Sequence, residues 1–309
     1  MQSVSRLFTQ FHPRHYDIHW DLSHAKADRL IHGTARISGE QLDPHVLRLH
    51  SHELVVESVM VDGSPIDTFS LDTTLDELII PHHGKGIVTI DITFSLALTD
   101  AMHGIYPCYF VHDGVRQELY ATQFESHHAR EAFPCIDEPE AKATFAISLT
   151  HPPHMVALGN MPVRTSEERD KVTLTTFDVT PVMSAYLVAF VVGDLQRATT
   201  HSRGGVEVNV YATKAHSHQA LSFALEHASR TIDFFDEYFG VAYPLPKSDH
   251  VALPDFSSGA MENWGLVTYR EVALLADPRT ISVSGKQYIA EVVAHELSHA
   301  VVRMLQHRQ

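Results

Sequence analysis

The chain has 309 residues, of which 44% are hydrophobic, so it can bury a sizeable core and form about two domains. Its 38 acidic and 23 basic residues give a formal net charge of −15. This charge argues against nucleic acid as a partner, because phosphate binding needs clustered Lys and Arg. No apolar run approaches the roughly 18 residues of a membrane span, and no secretory signal is visible. Cys108 and Cys135 are too few for a disulfide framework. We therefore expect a cytoplasmic protein with no membrane span, and its oligomeric state is left open.

The first two thirds of the chain read as β structure. Short runs of alternating polar and apolar residues are separated by Gly, Pro and Asp turns, which indicates strands. The clearest runs are residues 34–38, 54–61, 87–94, 144–149 and 172–177. Residues 186–192 are predicted to form the last buried strand. This spacing predicts a sandwich or saddle of antiparallel sheets over residues 1–195.

The pattern changes after residue 195. A strand is predicted at 206–211, followed by a long amphipathic helix over 216–239 and two strands at 250–254 and 266–269. The helix is expected to turn four apolar side chains inward: Leu221, Leu225, Ile232 and Phe235. A second helix follows, for which Ser284 and Gln287 resemble a capping box. The fold class is therefore mixed α/β in two parts, with residues 196–309 as the second domain.

The last predicted helix contains the motif His295-Glu296-Leu297-Ser298-His299. Histidines four residues apart share one face of a helix, so both imidazoles can hold one Zn²⁺. Glu296 then lies beside the metal and can accept a proton from an attacking water. Catalytic zinc needs at least three protein ligands, and this motif supplies two. Because the chain has 24 histidines, the motif alone is moderate evidence.

A second motif runs from Gly259 to Gly265 and reads Gly-Ala-Met-Glu-Asn-Trp-Gly. Gly259 permits close approach of a ligand to the backbone, and Glu262 is a carboxylate in a mostly apolar stretch. A partly buried carboxylate favours a cation. Taken alone, the motif is read more simply as an edge strand with a surface glutamate.

Together the two motifs resemble the aminopeptidase N family of zinc metallopeptidases. Further matching segments lie at residues 122–125, 129–130 and 133–143, so the resemblance covers nearly the whole chain. Residues 11–17 and 104–107 are most similar to the lactic-acid-bacterial aminopeptidase N branch. The resemblance implies an N-terminal β domain, then the first part of a thermolysin-like catalytic domain. It also implies removal of single residues from the free amino end of peptides.

The family resemblance assigns roles to individual residues. Glu262 would bind the α-amino group of the substrate, with Glu125 as a second acid and Gln123 lining the first side-chain pocket. The substrate-binding stretch would comprise Gly259, Ala260, Met261, Glu262 and Asn263. His295 and His299 would bind one zinc ion, with Glu296 as the base. The family's third zinc ligand and its oxyanion-stabilising tyrosine fall beyond residue 309. We therefore expect a truncated N-terminal portion that is inactive, or nearly so, by itself.

Residues 300–303 depart from the family, which usually has Gln-Trp-Phe-Gly where this chain has Ala-Val-Val-Arg. A frameshift and a divergent helix end are both possible sources of this difference. Two other functions stay open: a non-catalytic peptide-binding remnant, and an epoxide-hydrolysing relative, against which Ala260 argues. The remaining histidines, including the pairs His82-His83 and His127-His128, are interpreted as surface composition in preference to extra metal sites.

Overall fold

The computed structural model describes residues 6–306, with side chains for residues 6–302. The first ten strands are β1 (Phe11–Asp21), β2 (Leu30–Gln41), β3 (Val46–His50), β4 (Val55–Val61), β5 (Ser64–Pro65), β6 (Ser70–Asp72), β7 (Glu77–Pro81), β8 (Gly86–Ala97), β9 (Gly104–His112) and β10 (Val115–Gln123). The next ten are β11 (Thr144–His151), β12 (Val156–Gly159), β13 (Val163–Arg169), β14 (Val172–Phe177), β15 (Phe190–Gly193), β16 (Leu195–His201), β17 (Glu207–Thr213), β18 (Lys247–Leu253), β19 (Ala260–Met261) and β20 (Leu266–Arg270). The α-helices are α1 (Ala25–Asp28), α2 (Ser222–Phe239) and α3 (Val283–Gln306). Short 3₁₀ helices lie at Leu7–Thr9, Ala129–Glu131, Ala185–Leu187, His218–Leu221 and Glu271–Ala273.

An eight-stranded sheet dominates the N-terminal part, in the order β13-β14-β11-β1-β2-β8-β4-β5. Buried and exposed residues alternate along β2, because one face of the sheet packs on the core. Neighbouring strands of this sheet pair antiparallel, except β1 and β11, which are parallel, with His15 opposite Thr144. All five strands predicted before residue 178 lie within observed strands or overlap them closely. The predicted mixed α/β class with a β-rich N-terminal part is confirmed.

Aromatic side chains fill the core beneath this sheet. Tyr16 stacks on Phe145 with ring centroids 4.9 Å apart, and Phe133 packs edge-on against Trp20 at 5.7 Å. The Trp20 indole N–H donates to the carbonyl of Ala132 at 2.9 Å, so its buried polar atom is satisfied.

Two smaller sheets have the orders β3-β7-β6 and β12-β15-β10-β9. The strand predicted at 186–192 is wrong in its first half. Residues Ala185–Leu187 form a 3₁₀ helix, and the strand begins only at Phe190. All four residues of Phe190–Gly193 are buried, so alternation gives no signal for where this strand starts.

The C-terminal part is built on a five-stranded mixed sheet, in the order β16-β17-β18-β20-β19. The three strands β17, β18 and β20 are parallel neighbours, and β16 and β19 pair antiparallel at the two edges. Helix α2 joins β17 to β18, contacts β16 and β17, and packs against α3. The predicted helix start at residue 216 is too early, because residues His218–Leu221 form a 3₁₀ turn. Leu221 and Ile232 are buried as expected, and Leu225 and Phe235 are only partly covered.

The N-cap of helix α3 lies two residues before the predicted one. The hydroxyl of Ser282 accepts a hydrogen bond from the Gly285 amide at 3.0 Å, which is the bond that an N-cap residue makes. Ser284 lies inside the helix, so its assignment to a capping box with Gln287 is wrong.

By contacts, the described chain forms two compact units. Unit 1 comprises residues 1–106, 122–153 and 163–188, and unit 2 comprises residues 107–121, 154–162 and 189–309. The domain boundary at residue 195 was inferred from the change in secondary-structure pattern along the sequence and stays a prediction. Within residues 6–306, none of the helices is both long and apolar enough to span a bilayer.

Candidate active site

Helix α3 places the two motif histidines on one face, as their spacing predicts. The Nε2 atoms of His295 and His299 are 3.1 Å apart, and their ring planes lie at 81° to each other. His295 is exposed and the His299 side chain is 38% exposed, so a ligand can reach both rings. Two imidazole nitrogens therefore converge on one point in solvent.

The distance between these nitrogens fits one zinc ion. Two nitrogen ligands at Zn–N distances of about 2.0–2.1 Å in tetrahedral geometry lie about 3.3 Å apart. The observed separation of 3.1 Å is close to that value. The residues present are therefore suited to hold zinc, and they supply part of its ligand set.

Glu262 approaches the histidine pair from the neighbouring sheet. It follows directly after β19, and its Oε1 lies 3.9 Å from Nδ1 of His299. The Glu262 side chain is only 14% exposed. The simpler interpretation of this motif is thus half correct: β19 is an edge strand, but Glu262 is not a surface glutamate. Its carboxylate is held beside the imidazoles at low solvent exposure, where a buried carboxylate favours a cationic partner.

Glu296 points away from bulk solvent, with 6% of its surface exposed. Burial raises the pKa of Tyr269 well above its usual value, and the negative charge of Glu296 raises it further. This electrostatic effect shows that the carboxylate lies near the Tyr269 phenol. The motif glutamate therefore occupies a sheltered position between the helix and the central strands.

A buried polar chain continues beneath Glu296. The Tyr269 hydroxyl shares a 2.8 Å hydrogen bond with Nδ1 of His250, whose Nε2 is 3.1 Å from the Ser248 hydroxyl. Burial lowers the pKa of His250 to about 3, and the positive charge of Lys247 adds to this effect. His250 is therefore neutral at physiological pH. The sequence analysis missed both His250 and Tyr269, and the only local signal was a polar residue in each of two predicted apolar strands.

The rest of the glycine-led motif forms the edge of the sheet. Ala260 pairs with Tyr269 and Met261 with Thr268, and the Gly259 carbonyl accepts from the Arg270 amide at 2.9 Å. Gly259 itself is exposed, and a Cβ placed there would lie 3.7 Å from the Tyr288 hydroxyl on α3. Among residues 6–306, β19 is the last strand in the sheet order. Its outer side can therefore accept an extended peptide.

Gly265 ends the motif in a conformation that only glycine adopts easily. Its φ is +74°, and a Cβ there would overlap the Asn160 carbonyl oxygen. The Asn160 side chain in turn donates to the Trp264 carbonyl at 2.8 Å, and Asn263 is buried beside them. This turn fixes the direction in which Glu262 leaves the sheet.

Gln123 and Glu125 belong to unit 1 and are described by their own surroundings. Gln123 ends β10 and is 5% exposed, and its Oε1 has no hydrogen-bond partner among the described residues. A buried acceptor of this kind is uncommon in folded proteins. Glu125 follows two residues later and is exposed. The roles of both residues stay predictions.

Comparison with known proteins addresses the family. The sequence profile of the peptidase M1 N-terminal domain matches residues 12–187, and that of the peptidase family M1 domain matches residues 223–302. The chain belongs to the peptidase M1 family. The resemblance inferred from the two motifs is confirmed.

Individual relatives agree with this assignment. The chain is 46% identical over 300 residues to aminopeptidase N of Lactococcus lactis subsp. lactis and to that of Lactobacillus helveticus, which covers 96% of this chain and 35% of each relative. It is 40% identical over 305 residues to the puromycin-sensitive aminopeptidase of Caenorhabditis elegans, covering 95% of this chain and 32% of that protein. The expected similarity to lactic-acid-bacterial aminopeptidase N is confirmed. The chain spans about a third of the length of these relatives.

Proposed function

We propose that this chain forms part of a zinc-dependent aminopeptidase, which releases single residues from the free amino end of peptides. The observation that supports this most is the convergence of three side chains. The Nε2 atoms of His295 and His299 are 3.1 Å apart, and the Glu262 carboxylate lies 3.9 Å from the second ring. The two proposed ligands of one zinc ion and the acid proposed to bind the amine therefore lie near one another, which supports an exopeptidase.

His295 and His299 would hold the zinc ion. When bound, zinc polarises the scissile carbonyl and makes a water molecule acidic enough to attack near neutral pH. Glu296 would accept the proton from that water and then donate it to the departing amine. Its 6% exposure favours this role, because bulk water has little access to the carboxylate and so competes little with it for the proton.

Glu262 would hold the terminal ammonium of the substrate. An ion pair at 14% exposure is stronger and more selective than one in open solvent. We propose Glu125 as a second acid for the same ammonium and Gln123 as a wall of the first side-chain pocket. Along the free side of β19, Gly259 to Met261 would align the peptide as an added strand, and Asn263 would support the turn that holds Glu262.

We further propose that the third zinc ligand is a glutamate from a longer polypeptide, on the helix that follows α3 in the family. With two histidines alone, the 309-residue chain should bind zinc weakly at this site and turn over little substrate. The chain's two cysteines are both buried and unbridged, which agrees with a cytoplasmic location.

A chimaera tests the proposal. Residues 1–299 are joined in frame to the remaining part of Lactococcus lactis aminopeptidase N, and release of p-nitroaniline from alanyl and lysyl anilides is measured with and without chelator. We expect chelator-sensitive turnover. Glu296→Gln should lower kcat at least about a hundredfold while bound zinc is unchanged. Glu291→Gln is the matched control, because Glu291 is an exposed acid on the same helix.

Two outcomes would contradict the assignment. Near wild-type kcat in Glu296→Gln would remove Glu296 as the base. A chimaera that binds peptides with a free amine but never hydrolyses them would instead support a peptide-binding remnant. In the same chimaera, Glu262→Ala should chiefly raise KM for substrates with a free amino end. An equal loss of affinity for peptides with a blocked amino end would argue against an ammonium site at Glu262.

A further inference from the structure

Unit 1 contains another group of side chains of the kind that bind metals, distant in sequence from the two histidines of helix α3. Nδ1 of His103 lies 2.7 Å from one oxygen of Glu131, and Nδ1 of His128 lies 2.7 Å from the other. The two imidazole rings stack with centroids 4.2 Å apart. Within residues 6–302, these three side chains form the one cluster whose ligand atoms all lie within 4.8 Å of one another.

The backbone is shaped to bring the three groups together. Gly104 has φ +65°, and a Cβ at this position would lie 2.8 Å from Oε2 of Glu131. The absence of a side chain at Gly104 thus leaves the space that the carboxylate fills beside His103. Glu131 ends the 3₁₀ helix Ala129–Glu131, whose N-cap residue is His128. In the preceding turn the His128 amide donates to the Phe124 carbonyl at 2.9 Å.

A small cavity adjoins the cluster. Its volume is about 80 Å³, and its lining includes His103, Gly104, Glu131, His52 and Glu53. This is more than enough space for a water molecule. The side chains of His103, His128 and Glu131 are 40%, 23% and 18% exposed, so an ion has access from solvent.

We propose that His103, His128 and Glu131 form a second divalent transition-metal site in unit 1, separate from the pair on α3. Two imidazoles and one carboxylate, with a water in the fourth position, are a ligand set that suits Zn²⁺, Co²⁺ or Ni²⁺. Ca²⁺ and Mg²⁺ prefer oxygen ligands and should bind poorly.

The required rearrangement is small. Ligand atoms around tetrahedral zinc lie about 3.3 Å apart, whereas each nitrogen–oxygen pair here is 2.7 Å apart. Glu131 therefore has to withdraw by about half an ångström, which rotation of its side chain allows. Each ring proton moves from Nδ1 to Nε2 so that Nδ1 can bind the ion. Glu53, on the lining of the adjoining cavity, adds a further carboxylate, whereas Asp76 is hydrogen-bonded to His52.

The bound ion would join two segments of unit 1 that are distant in sequence. His103 lies just before β9, and His128 and Glu131 lie in the turn that follows Glu125. A metal here would therefore stabilise the segment that holds Glu125, independently of any catalytic metal. Under this proposal His128 is a metal ligand, and the interpretation of the His127-His128 pair as surface composition stays a prediction that the same experiment tests.

The test uses the 309-residue chain with His295→Ala and His299→Ala, so that the proposed catalytic pair is absent. Titration calorimetry with Zn²⁺ alone should then show one site per chain, and Zn²⁺ should raise the midpoint of thermal unfolding. Glu131→Gln and His128→Phe should each raise Kd at least about tenfold and abolish the thermal shift. Thermal unfolding of each variant without metal verifies that it is folded.

The matched control removes two other histidines. His45 and His83 are exposed, their rings meet edge-on with centroids 5.8 Å apart, and among residues 6–302 neither belongs to a cluster of three metal-ligand side chains. The His45→Ala/His83→Ala variant should bind Zn²⁺ as the background chain does. The proposal is overturned if the background chain binds no Zn²⁺, if Glu131→Gln leaves Kd unchanged, or if the control weakens binding as much as Glu131→Gln does.

Discussion

Replacing Lys247 with methionine removes a buried cation from beneath the candidate active site. The Lys247 ammonium donates to the carboxylate of Asp249 at 2.7 Å and to the carbonyls of Gly159 and Gly265 at 2.8 and 2.7 Å. The two charged side chains are only 9% and 4% exposed. Methionine replaces most of the apolar stem of lysine, is one atom shorter, and can make none of these bonds.

The cost follows from what remains after the substitution. Asp249 keeps one hydrogen bond, from Asn209 at 2.8 Å, but it loses the buried cation that bonds to it, and the exposed Arg197 attracts its charge from further away. Breaking a buried ion pair on one side costs about 3–5 kcal/mol. The double variant Lys247→Met/Asp249→Leu removes both charges. It should recover a large part of that loss, because an apolar pair often replaces a buried ion pair without great cost.

An exposed ion pair of the same length is the control. Arg230 lies 2.6 Å from Glu226 on the surface of α2, with side chains 75% and 61% exposed. Arg230→Met should cost less than about 0.5 kcal/mol, because solvent screens the pair in the native protein. The comparison separates the effect of burial from that of contact distance.

Urea unfolding followed by tryptophan fluorescence measures these differences. The chain has two tryptophans, Trp20 in unit 1 and Trp264 in unit 2. In a Trp20→Phe background, Trp264 reports on unit 2 alone. With a slope of about 1–3 kcal/mol per molar urea, a loss of about 3–5 kcal/mol in Lys247→Met should lower the midpoint by about 1–5 M. A loss below about 1 kcal/mol, or a double variant as unstable as the single one, would refute the reasoning.

Three further predictions concern unit 2. Burial gives His250 a folded pKa of about 3, so the unfolded state binds more protons below pH 6.5. The free energy of unfolding therefore falls as pH is lowered, by about 2 kcal/mol at pH 5. The urea midpoint of His250→Gln should depend less on pH than that of the unmodified chain. Gly265→Ala should lower the free energy of unfolding by about 2–5 kcal/mol, because the new Cβ has an unfavourable positive φ and also overlaps the Asn160 carbonyl oxygen. Gly205→Ala, with φ +86° but open space around the new Cβ, should lower it by about 1–2 kcal/mol. Ser282→Ala should cost about 1 kcal/mol and Ser284→Ala less than about 0.5 kcal/mol, and equal losses in unfolding experiments would contradict the observed cap.

The sequence predicted those parts of the site that depend on local geometry. Helical periodicity alone places His295 and His299 one turn apart, and the observed 3.1 Å between their nitrogens follows from that spacing. The low exposure of Glu262 could not be obtained in this way, because it depends on a contact between β19 and α3. Only the family resemblance indicated that Glu262 belongs beside the histidines.

The errors also have physical causes. Ser282 and Ser284 both precede the apolar series of α3, so the local pattern is consistent with a cap at either residue. The hydrogen bond from the Gly285 amide identifies Ser282 as the cap. The helix predicted from residue 216 starts at Ser222, and the Nε2 atom of His216 instead lies 2.7 Å from Glu271, a partner 55 residues away. The cluster around Glu131 joins residues 28 positions apart, and periodicity contains no information about such pairs.

The alternation of the chain between its two units affects how it folds during synthesis. The chain passes between unit 1 and unit 2 five times. The Gly159 carbonyl accepts a hydrogen bond from Lys247, which is synthesised 88 residues later. At about 5–20 residues per second, a ribosome takes about 4–18 s to supply that partner. Throughout this interval the early strands of unit 2 are exposed to chaperones and proteases. Expression of residues 196–309 by themselves would leave those strands behind, so a genetic dissection of unit 2 must include all three of its segments.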